Sequence, residues 1–103
     1  CDPRVVEAML PFWTETAANP SSRHHPAGQS AASAVAAARA TVARCLGAAS
    51  ASEIVFASGA TEANNLALLG VAGACPSPGH LVTQATEHPS VLAPLRQLAA
   101  RAN

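Results

Sequence analysis

Two short stretches hold the groups best suited to chemistry: FASGATEANN at 56–65 and TEHPSV at 86–91. In the first, the apolar run Ile54-Val55-Phe56 stops at Ser58-Gly59, and a helix-like pattern begins at Ala60. A helix start offers unpaired N–H groups and a partial positive charge, which together suit a phosphate. Gly59 permits a tight turn and close backbone approach. Ala60 adds no bulk, and Thr61 offers a hydroxyl beside its N–H. Neither GxxxxGK[ST] nor GxGxxG is present. An ordinary βα turn with a Ser or Thr cap accounts for the same residues, and the local pattern alone favours it. Glu62 fits that bland reading, since an acid in the first turn suits the helix dipole. It would oppose a phosphate placed too close.

In the second stretch His88 stands where a short strand-like run, Leu81–Gln84, hands over to a helix-like run. There it can act as a base, a ring-stacking partner or a cap, and taken alone capping is the better reading. If both junctions lie at the carboxyl ends of parallel strands, they share the edge where α/β proteins bind ligands. That coincidence moves the balance toward a site at Ala60, Thr61 and His88. His24, His25 and His80 read as solvated loop histidines with no metal set around them. Ser58 lacks a GxSxG elbow.

The elements that would position these residues follow from local signals. Asp2-Pro3 is a helix start, with Val5, Val6, Met9 and Leu10 at helical spacing and Pro11 disturbing it. Residues 17–28 are rich in Pro, Ser, Asn and Gly and read as a loop. An alanine-rich helix spans about 29–46, with Val35, Ala38, Val42 and Cys45 forming a narrow stripe suited to close packing, and Gly47 ends it. Strands are expected at 54–57 and 81–84, helices at about 60–74 and 89–101, and a type II turn at 77–80. Pro94 should bend the last helix or delay its start. Strand, helix, strand, helix argues for an α/β class with parallel strands.

Composition bounds the rest. Of 103 residues, 26 are alanine, with one Trp, two Phe and no Tyr, so large apolar side chains are few for a core. This suggests a subunit interface or a piece of a larger fold. Six Arg balance six acids and there is no lysine, so nucleic-acid binding is disfavoured. No apolar run approaches the ~20 residues of a membrane span. Cys1, Cys45 and Cys75 are odd in number and outside any CxxC pattern, so neither a disulfide framework nor a zinc site is expected. Cys45 and Cys75 read as buried or half-buried side chains, in a reduced, cytoplasmic protein. The Cys start hints at truncation or processing.

DPRVVEAMLPF, NPSSRHHPAG, EIVFASGATEANNLAL and TEHPSVL, in this order and spacing, resemble the N-terminal part of the pyridoxal-phosphate-dependent cysteine desulfurases of aminotransferase class V. The branch they resemble most serves iron–sulfur cluster and nitrogenase assembly. SGATE and EH are the most diagnostic pieces. Ala18 and Ala57 depart from the family's usual Gly and Thr without touching the proposed contacts.

The resemblance implies a fold type I large domain, with residues 1–27 as arm and loop and 28–103 as its opening βαβα part. It implies pyridoxal 5'-phosphate as cofactor, Ala60 and Thr61 on its phosphate, and His88 stacked on its ring and assisting proton transfer. It further implies L-cysteine as substrate, with alanine and an enzyme persulfide as products, a homodimer, and a sulfur-acceptor or scaffold protein. The family's Schiff-base lysine, the Asp paired with the pyridine nitrogen and the sulfur-accepting cysteine have no counterpart here, so the chain reads as an inactive N-terminal fragment. A selenocysteine lyase or other class V enzyme is the near alternative. A non-catalytic α/β remnant that only packs on a partner is the distant one.

Overall fold

Asp2 opens the first helix, as its position before Pro3 predicts: its carboxylate accepts the Arg4 N–H at 2.9 Å. The Arg4 guanidinium also meets that carboxylate at 2.7 Å and holds Asp2 below the usual carboxylate range. Helix α1 runs Pro3–Thr14 straight through Pro11. The computed structural model describes residues 1–75 and 79–101, in two units, Cys1–Val55 and Phe56–Asn103. The expected turn at 77–80 lies partly outside the described residues.

In the first unit, α2 spans Pro26–Leu46, three residues earlier than the alanine pattern alone suggests. Its cap is His25, whose Nδ1 accepts the Gly28 N–H at 3.1 Å. This histidine is therefore structural and not merely solvated. Gly47 closes the helix at φ 69°, a left-handed conformation that favours glycine, and the Ala48 N–H returns to the Ala43 carbonyl at 2.9 Å. A 3₁₀ turn at Ala51–Glu53 packs on α2. It is held by a reciprocal box in which Ser50 Oγ accepts the Ser52 N–H at 3.2 Å and Glu53 accepts the Ser50 N–H at 2.9 Å. Arg39 donates to the Ile54 carbonyl and ties the chain after this turn back to α2.

Gly28 is buried beneath the loop before it. A Cβ there would lie 1.8 Å from the Ser22 carbonyl oxygen and 3.2 Å from that of Asn19. The loop is itself held by its own side chain, since Asn19 Oδ1 accepts the Ser21 N–H at 2.8 Å.

In the second unit, α3 covers Ala60–Ala74 and α4 covers Pro89–Arg101, and the two pack together. Pro94 does not delay α4. It sits one turn after Ser90, and both are the buried residues of that helix.

The expected α/β class and opening βαβα of a fold type I domain are not observed. Among the described residues there is no strand and no sheet, only four α-helices and one 3₁₀ turn. Residues 54–57 and 81–84 have no regular structure. A strand's hydrogen bonds all leave its own segment, so it exists only beside a partner strand, and neither stretch has one. Strands of a parallel sheet are buried on both faces, yet Val55 is 63 % and Val82 97 % exposed.

Little is buried elsewhere: among the described residues Ala43 is the one buried hydrophobic residue, and no large side chain is fully enclosed. Cys45 and Cys75, expected at least half-buried, are exposed. The stripe that carries Cys45 on α2 is largely uncovered, with Val35 and Ala38 also exposed.

Candidate functional site

Ala60 and Thr61 are the first two residues of α3. The first helical hydrogen bond is Ala63 N–H to the Gly59 carbonyl at 3.1 Å. Among the described residues no protein acceptor takes the N–H of Ala60, Thr61 or Glu62, and Gly59 supplies no side-chain cap. Three adjacent donors therefore face outward from an exposed turn, the donor set an anion would use. Gly59 itself is extended, at φ 172° and ψ 178°, and a Cβ would meet nothing within 4 Å. The turn thus does not require glycine for its backbone. The position of its absent Cβ is open space.

Glu62 bears on that space. Its Oε2 accepts both the Ser58 N–H and the Ser58 hydroxyl, each at 2.7 Å. The charge is thereby drawn to the residue before the cap. The Ser58 hydroxyl and then its amide hold the Glu62 carboxyl below the usual glutamate range. A depressed value in the folded chain means the contact stabilises above the ordinary carboxyl range and is lost as pH falls through the depressed value. In the intact protein, protection of the Ser58 amide relative to its intrinsic exchange rate should fall across that acidic window, and Glu62→Gln should abolish that fall. Protection of that amide unchanged across the window in the parent would contradict the bond.

His88 precedes α4 and is exposed. Its Nδ1 accepts the Ser90 N–H at 3.1 Å, so it does cap the helix. The Ser90 hydroxyl lies 2.9 Å from the same nitrogen, and Asn64 Nδ2 donates to that hydroxyl at 2.9 Å. Asn64 belongs to α3, one turn beyond Ala60. The chain Asn64–Ser90–His88 therefore joins the N-terminal parts of the two helices, and it brings His88 to the end of the unit where Ala60 and Thr61 lie. Neither Asn64 nor Ser90 stood out in the sequence. Their one signal is polarity on faces that the helical pattern turns inward, with Ser90 7 % exposed. His24, His25 and His80 bring no further ligand, and among the described residues no group of three or more His, Cys, Asp or Glu could hold a metal ion.

No described helix is long and apolar enough to cross a membrane. The chain is 49 % identical over 98 residues to the cysteine desulfurase IscS of Rickettsia felis, covering 94 % of this chain and 24 % of that protein. It is 49 % identical over 100 residues to the mitosomal cysteine desulfurase of Encephalitozoon cuniculi, covering 94 % and 23 %. The IscS of Rickettsia akari is 50 % identical over 98 residues, covering 94 % and 24 %. The chain thus spans about a quarter of the length of the curated relatives it matches. No solved structure matches it. The aminotransferase class-V family, whose members in general use pyridoxal phosphate, matches residues 1–103, and the chain belongs to that family.

Proposed function

We propose that this chain is the cofactor-anchoring part of a pyridoxal-phosphate-dependent cysteine desulfurase. The N–H groups of Ala60 and Thr61, with the Thr61 hydroxyl, hold the cofactor phosphate, and His88 lies against its ring. The observation that carries this reading is the pairing of three unsatisfied helix-start donors with a histidine tied to the same end of the unit. The similarity to cysteine desulfurases supports the reaction class. The residues present fit such a group: backbone donors for a dianion, open space over Gly59, and a Glu62 charge drawn aside by Ser58.

When bound, pyridoxal phosphate supplies an electron sink for the reacting amino acid. Overall, sulfur is taken from L-cysteine, leaving alanine and a persulfide for a sulfur-acceptor protein. This chain's own residues do the anchoring. The α3 amides would hold one end of the cofactor through its charge, and His88 would lie against its ring. With no lysine in it, the chain supplies no covalent link to the cofactor. We further propose residues 1–27 as an arm and 28–103 as the start of the cofactor-binding domain, within a cytoplasmic homodimer.

Thr61→Val keeps the backbone donor and removes the hydroxyl. In the holoprotein it should weaken cofactor retention on dialysis roughly three- to tenfold, the range of one hydrogen bond. Unchanged retention would refute the hydroxyl's role.

A further inference from the structure

Two histidines here cap helices in front of a proline, and only one is buttressed. His25 Nδ1 accepts a backbone N–H alone, from Gly28, and its ring merely edges against His24 with centroids 5.6 Å apart. His88 Nδ1 faces a backbone N–H at 3.1 Å and a buried hydroxyl at 2.9 Å, itself held by an amide from another helix. Capping explains both histidines. It does not explain the Ser90–Asn64 arm behind the second.

The direction of these bonds follows from the donors. A backbone N–H can only donate, so His88 Nδ1 presents its lone pair to Ser90. An amide Nδ2 can only donate, so the Ser90 oxygen accepts from Asn64 and its own hydrogen is free for His88 Nδ1. In the neutral ring the proton then resides on Nε2, which has no partner among the described residues. We propose that Ser90, anchored by Asn64, is a positioning residue that fixes the neutral His88 ring with its proton on Nε2, so that the ring's orientation is set before it meets the cofactor face. The second half rests on the proposed contact between His88 and the cofactor. The opposite tautomer would turn an N–H of the ring against the N–H of Ser90.

The tautomer is measured directly by ¹⁵N NMR of the His88 ring in the holoprotein. The expected result is an unprotonated Nδ1 and a protonated Nε2. Ser90→Ala retains the backbone donor but should bring the two nitrogens' shifts together and loosen cofactor retention roughly three- to tenfold. Ser90→Thr should restore both. A wild-type ring protonated on Nδ1, or a Ser90→Ala ring unchanged from wild type, overturns the proposal. His88→Ala is read separately: cofactor retention unaffected by that change overturns the ring contact, and with it the functional half, while the tautomer result still decides the structural half.

Discussion

Made on its own, this 103-residue chain is expected to melt without a cooperative transition and to associate as concentration rises. Folding must offset a conformational entropy of order 100–200 kcal/mol for a chain of this size, and burial of apolar surface is its main counterweight. Here that counterweight is small. Val5, Val6, Met9, Leu10, Phe12 and Trp13 on α1 are 41–64 % exposed, and Leu46 and Val71 are more than 60 % exposed. Isolated helices of 12–21 residues are marginal without a packed face. Thermal scans by circular dichroism, with sedimentation at several concentrations, check this. A sharp two-state melt of a monomer would show that the small-residue contacts suffice.

Gly28→Ala in the intact protein is expected to be among the most damaging single-methyl additions in this segment. The new Cβ would overlap the Ser22 carbonyl oxygen and crowd that of Asn19, and both are backbone atoms that cannot rotate away. Overpacking of this kind costs about 1–3 kcal/mol and sometimes more. Gly70→Ala makes the contrast. That glycine lies inside α3 with nothing within 4 Å of its Cβ position, so the change should stabilise by about 0.5–1 kcal/mol. Denaturant titration of both variants gives the two signs. Equal effects would mean the loop over Gly28 yields freely.

What was legible in the sequence was local. Asp2-Pro3 and Gly47 mark helix ends through bonds made within a few residues, and α3 begins and ends as its pattern predicts, at Ala60 and Ala74. Two local signals were readable and passed over: the Ser-x-x-Glu box at 50–53, and the His-Pro pair that starts α2. The strands expected at 54–57 and 81–84 are absent because those runs say what could enter a sheet, not whether a partner strand is present. The Asn64–Ser90 bond spans 26 residues and lay beyond any periodicity argument. The expected grouping of Ala60, Thr61 and His88 rests on a shared sheet edge, which the described residues do not form; the Asn64–Ser90 bond is what ties the two helix starts together.

The most direct measurement is a crystal structure of the holoprotein, read at the start of α3. Cofactor phosphate oxygens are expected within hydrogen-bond reach of the Ala60 and Thr61 nitrogens, about 2.7–3.2 Å, with the His88 ring against the cofactor ring. A phosphate held elsewhere, with these amides facing water or another part of the protein, would contradict the proposed role of this segment.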